Sequence, residues 1–160
     1  MDKIDELNIS GFIASAVSDV YDTMLSMEVE ILDSSVAPKI GKNLIIGSVS
    51  FSGKVMGSVN VMLDLEYAFR MTSIMLDMNI DEVEDEEASD VVGEITNMIG
   101  GDLKSRLCDA GLTCQLSIPT IISGQDFKIQ TVGWVKKERI AFRFENYDAI
   151  AFVYIKTMDA

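Results

Sequence analysis

The chain contains no histidine. That absence removes His-ligated zinc sites, a Ser-His-Asp triad and the commonest general base at neutral pH. Cysteine is scarce as well: Cys108 and Cys114 fit neither a disulfide framework nor a Cys-x2-Cys metal pair, and both are read as thiols. Only two prolines and scattered glycines interrupt the 160 residues, so disorder is disfavoured, no linker divides the chain, and one domain over 1–160 is expected. Positive charge is in short supply, with 13 Lys and Arg against 26 Asp and Glu, a formal charge of -13. No basic patch offsets that repulsion, which argues against nucleic acid and against an anionic membrane surface as partners. A basic patch on another protein remains a suitable partner. No apolar run approaches a transmembrane span, and the start Met1 to Leu7 is too acidic for a signal peptide, so a soluble cytoplasmic protein is expected.

What is present is a hydrophobic fraction of 48%, enough for a sizeable core. Ile9, Phe12, Ile13, Ala16, Val17, Val20, Tyr21 and Met24 recur at helical spacing, which predicts an amphipathic helix over 4–27. After Pro38 the period changes. Leu44, Ile46, Val49 and Phe51, then Val55, Val59 and Val61, predict a hairpin turning at Gly53, with Gly57 marking a bulge or a close crossing. Asp64 is a candidate cap for a short helix that starts at Leu65, buries Ala68, Met71, Ile74 and Met75, and ends by Asp77 to Asn79.

Six carboxylates in Asp81 to Glu87 precede a helix predicted over 83–109, where they favour the positive end of its dipole. Hard oxygen ligands suggest a divalent metal, but the calcium-loop glycine is missing and no metal is assigned. Gly111 suits a left-handed cap at the far end. Beyond it, Leu112, Cys114, Leu116 and Ile118 predict a strand ended by Pro119, and Ile121 to Gly124 a turn. Segments Phe127–Val135, Arg139–Phe144 and Ala149–Lys156, the last two joined to their predecessors through Lys136–Glu138 and Asn146–Asp148, predict a meander. The fold class expected is α/β (α+β), with the long helices packed on a largely antiparallel sheet. Met71, Met75 and Met98 sit at core spacing, and the ten methionines are read as packing.

The most informative stretch is Asp90-Val-Val-Gly-Glu94-Ile-Thr-Asn97-Met-Ile-Gly-Gly101. At 100° per residue Val92, Ile95, Ile99, Leu103 and Leu107 make one apolar stripe, while Asp90, Glu94, Asn97, Gly101 and Lys104 take the opposite side. A carboxylate and an amide one turn apart can grip another molecule through charge, donor and acceptor. Periodicity alone favours ordinary solvent-facing polarity. Gly100 and Gly101 each cost helix propensity of about 1 kcal/mol, a loss understandable where another surface comes close. For Gly100 that surface is either within this chain or on a partner; Gly101 is better placed to leave room for a partner.

Asp90-x3-Glu94-x2-Asn97, with Gly100-Gly101 and Pro119, resembles the signature of the CheX/CheC/FliY chemotaxis phosphatases, with one residue fewer between Asn97 and Pro119 than in the family pattern. The likeness extends to the helix around Phe12–Val17 and the hairpin around Phe51–Val59. It implies hydrolysis of the aspartyl phosphate of a CheY-like response regulator. By that resemblance Glu94 pairs with the regulator's lysine, Asn97 orients the attacking water, and Asp90, Gly101 and Lys104 share the docking surface. The chain itself would bind no cofactor, since the regulator supplies Mg²⁺, the phosphorylated aspartate and a lysine. No second Glu-x2-Asn exists: the first helix offers Ser15, Ser18, Asp19 and Asp22, and Glu66 is followed by Phe69. One site per chain resembles CheX more than CheC and implies a homodimer. A non-catalytic adaptor or a flagellar-switch-like module is the alternative.

Overall fold

A computed structural model of the protein describes residues 3–125 and 136–158. After a 3-10 turn at Lys3–Glu6 come α1 (Ile9–Leu25), β1 (Glu30–Ile31), β2 (Asn43–Gly53), β3 (Val55–Asp64) and α2 (Leu65–Met75). A second 3-10 turn (Ile80–Glu82) leads to α3 (Asp85–Asp109), β4 (Cys114–Leu116), β5 (Thr120–Gln125), β6 (Lys136–Phe144) and β7 (Tyr147–Thr157). The first helix starts later than the 4–27 periodicity predicts. Asn8 accounts for the break: its side chain accepts from the Gly11 amide at 3.0 Å, so it caps α1 and separates it from the preceding turn.

All strand pairings are antiparallel, in the order β1-β6-β7-β3-β2-β4, with β5 also on β2. The hairpin turns at Gly53 as expected, with a positive φ of 147°. Gly57 is a close crossing, because a Cβ there would strike the Tyr154 carbonyl of β7. The register sets Ile45, Val49, Val59, Val61, Leu63, Ala149, Ala151 and Val153 on one face, all buried against the helices. Small Ala149 and Ala151 leave room for Phe142, Phe144, Tyr21 and Tyr67. The two buried tyrosine hydroxyls meet at 2.6 Å, and Tyr21 donates to Met71 Sδ at 3.1 Å. Burial pushes both phenols upward, so they stay neutral donors in the core.

Three local expectations change. Asp64 does not cap α2 with its side chain; its carboxylate accepts from the Gly41 amide at 2.5 Å and so fastens the approach to β2. Residues 121–124 are not a turn but lie within β5, paired to Ile45, Ile46 and Gly47, with Gly124 opposite Leu44. An edge strand is held by backbone ladder bonds, so this mostly exposed segment needs no apolar alternation to form. Lys136–Glu138 belong to β6 instead of connecting to it, with Lys137 Nζ over the Tyr154 ring at 5.8 Å. The strand expected over Phe127–Val135 lies outside the described residues.

Two ion pairs fasten the periphery. Arg70 grips Glu145, which stands in a left-handed conformation at the β6–β7 turn. Arg143 donates to Asp148 at 2.7 Å, and the Lys39 amide donates to the same carboxylate at 2.8 Å. Arg143 foremost holds the buried Asp148 carboxyl below its ordinary range.

Candidate functional site

The candidate site is one face of α3, and the opposite face holds it in place. At the start of the helix, Asp85, Glu86 and Glu87 occupy the first turn, and the Glu84 amide donates to Glu87 Oε1 at 3.0 Å. At the end, Gly111 takes a positive φ of 85°; its amide donates to the Cys108 carbonyl and that of Leu112 to the Leu107 carbonyl. Between these ends Val92, Ile95, Ile99, Leu103 and Leu107 are all buried, as the stripe predicts. The expected bounds of 83–109 differ from those observed by two residues at the start only.

Two glycines draw α3 down onto β2. A Cβ at Gly47 would collide with Thr96 Oγ1, which turns back to the Val92 carbonyl at 2.7 Å. A Cβ at Gly100 would stand 2.6 Å from Val49 Cγ2. Gly100 is therefore accounted for by packing inside this chain. With the helix axis fixed at both contacts, side chains on the outer face are held in place by the core.

That outer face carries Asp90, Glu94 and Asn97 exposed and Gly101 and Lys104 partly exposed, spaced four, three, four and three residues apart along one stripe. Asp90, Glu94 and Asn97 make no side-chain hydrogen bond or ion pair among the described residues, nor does Lys104. Nothing lies within 4 Å of where a Gly101 Cβ would be. One turn further on, the polar groups are engaged. Arg106 donates to Asp102 at 2.6 Å and to Asp19 of α1 at 3.1 Å, and Ser105 donates to the Gly101 carbonyl.

A neighbouring loop flanks this face, at the strand end where the sequence sets Pro119, the proline that the family resemblance also includes. β4 and β5 both lie along β2, and between them the chain steps outward at Ser117–Pro119. The step is pinned. Ser117 donates its amide to the Ser50 carbonyl at 2.8 Å, and Ser117 Oγ accepts from the Ser50 amide at 2.9 Å. Pro119 Cγ would be 3.6 Å from a Cβ on Gly93, the residue before Glu94 and one turn before Asn97. The apolar Ile118, set between Ser117 and a proline, was the available signal for an outward step.

The family model described as chemotaxis phosphatase CheX matches residues 45–145, which contain both the α3 face and the Pro119 loop. This chain belongs to the CheX family. It is similar to the CheY-P phosphatase CheX of Thermotoga maritima, 27% identical over 144 residues, covering 82% of this chain and 88% of that protein. Among solved structures, the chemotaxis protein CheX of Vibrio vulnificus shares the fold with a TM-score of 0.79 at 23% identity, over 94% of this chain and 97% of that one. A CheX-CheY-BeF3-Mg²⁺ complex from Borrelia burgdorferi gives 0.75 at 24% identity, over 91% and 96%.

In this CheX-family chain, Asp90, Glu94 and Asn97 line the outer stripe and Pro119 flanks it through Gly93. Among the described residues no three Asp, Glu or Cys side chains are placed to hold a metal ion, and no helix is long and apolar enough to cross a membrane. Cys108 and Cys114 are free thiols, and burial raises the Cys114 thiol above its ordinary range.

Proposed function

We propose that this chain, acting as one domain over 1–160, hydrolyses the aspartyl phosphate of a CheY-like response regulator. The observation that carries the reading is the rigidly seated Glu94–Asn97 pair, exposed and without side-chain partners among the described residues. The name of the Thermotoga relative and the composition of the Borrelia complex support the same substrate class. Asn97 supplies an amide oxygen that holds a water in line with the phosphorus, and Glu94 docks on the regulator's lysine. Water attacks phosphorus, the phosphorus–oxygen bond to the aspartate breaks, and inorganic phosphate leaves with the carboxylate restored. Mg²⁺ arrives on the regulator; that the Borrelia CheX-CheY complex contains the ion supports this.

This chemistry needs positioning and charge compensation more than an acid or base from the chain, so a protein without histidine can perform it. Asp90, Gly101 and Lys104 extend the docking face, and Gly101 admits the partner surface to the helix backbone. The protein works in the cytoplasm as a homodimer, each subunit with one site. Sedimentation at micromolar concentration is expected to give twice 17.6 kDa, and a 17.6 kDa particle throughout contradicts the dimer.

The test is release of phosphate from a panel of phosphorylated receiver domains. Acceleration for at least one of them is expected. Binding to a receiver with no acceleration converts the reading to an adaptor, and neither binding nor acceleration overturns it.

A further inference from the structure

Ile118 is 85% exposed, the most exposed of the large hydrophobic residues described. Single exposed apolar side chains are ordinary on protein surfaces, so exposure alone assigns nothing. Its setting does. The backbone is held on one side by the Ser50–Ser117 bond pair, and Ser117 Oγ donates to the Ile118 carbonyl at 2.9 Å. On the other side, Pro119 restricts the chain and sits beside Gly93. The isoleucine is β-branched and stiff at χ1, so little side-chain freedom remains to be lost on contact. A rigid step of backbone thus holds an aliphatic side chain in water next to the stripe that carries Glu94 and Asn97.

We infer that Ile118 is a specificity-determining anchor for the regulator, seating in an apolar patch beside the partner's acyl-phosphate pocket. The inference rests on the phosphatase reading above and deepens it. Its occupant is the phosphorylated regulator, because Ile118 is continuous with the docking face through the Pro119–Gly93 contact. Glu94 and Asn97 recognise groups that receiver domains hold in common; an aliphatic contact at the margin discriminates among receivers by shape and apolarity. Contact made equally in the ground and transition states changes KM and leaves kcat alone.

The experiment measures dephosphorylation rate against concentration of phosphorylated regulator for the wild type, Ile118→Ser, Ile118→Leu and Asn97→Ala, with thermal unfolding and sedimentation of each. Ile118→Ser is expected to raise KM about tenfold at unchanged kcat and unchanged unfolding temperature, with Ile118→Leu close to wild type. Unchanged KM for Ile118→Ser, alongside lost turnover in Asn97→Ala, overturns the anchor while the phosphatase reading stands. A shift of Ile118→Ser from dimer to monomer overturns it too, by giving the side chain to a second copy. If the wild type accelerates no receiver, both fall together.

Discussion

The polar surface of α3 has two halves, an outer stripe and a flank toward α1, that differ in what their groups do. On the outer stripe Asp90, Glu94, Asn97 and Lys104 make no side-chain hydrogen bond or ion pair among the described residues and Gly101 leaves the backbone open; on the flank toward α1, Arg106 is tied to Asp102 and to Asp19. Both halves share the same helix and the same apolar support. An exposed polar group already satisfied within the chain contributes to its own tertiary structure. An exposed group held in place without a partner is available to another molecule. The comparison separates polar groups left open from polar groups used for fastening on one helix.

The largest effect expected in testing that contrast is on Glu94. Glu94→Ala is predicted to weaken binding to the regulator by about 2–5 kcal/mol if the lysine pair is desolvated at the interface, with much less loss for a wet pair. Stability should change little, since the side chain is exposed and alanine is a good helix former. Affinity for a regulator carrying an unhydrolysable phosphoryl mimic, measured by titration, checks this. Next comes Gly100→Ala, whose new methyl meets Val49 Cγ2 at 2.6 Å. Overpacking of about 1–3 kcal/mol outweighs the propensity gain, so denaturant unfolding should show a net loss of roughly 1 kcal/mol.

Arg106→Ala breaks the Asp102 and Asp19 ties in the fastening half. The pair is partly exposed, so the expected cost is about 0.5–1 kcal/mol of stability with the dephosphorylation rate preserved. A strong loss of regulator affinity in this variant would erase the division between the halves. The last effect is of similar size and opposite sign. Gly101→Ala adds a methyl where nothing stands within 4 Å, so stability should rise by about 0.5–1 kcal/mol in the same unfolding measurement. The adjacent glycines therefore respond in opposite directions, although they are indistinguishable by residue type.

Much of this arrangement was legible in the sequence, because it depends on helical period. Val92, Ile95, Ile99, Leu103 and Leu107 were predicted inward and are buried, and Gly111 was predicted and is found as the left-handed cap. The hairpin at Gly53 followed from two apolar runs around a turn. What escaped depended on long-range pairing. β5 is an edge strand with few buried side chains, so its ladder to β2 leaves no mark in hydropathy. Asp64 sits where a cap belongs, yet its acceptor is taken by Gly41, from a separate segment of chain. The Ile118–Pro119 step could be recognised as a break; its place beside Gly93 comes from the way β4 and β5 share β2. Helical angle set Gly101 on the open side; deciding Gly100 required knowing that Val49 lies beneath it.

The phosphatase reading gives catalytic geometry to Asn97 and docking to the rest of the open stripe. It is tested most directly by the dephosphorylation rate of Asn97→Ala at saturating phosphorylated regulator. A saturating rate lowered by about 100-fold or more is expected, with binding to a phosphoryl-mimic complex nearly retained and unfolding little changed. A full saturating rate in Asn97→Ala would contradict it.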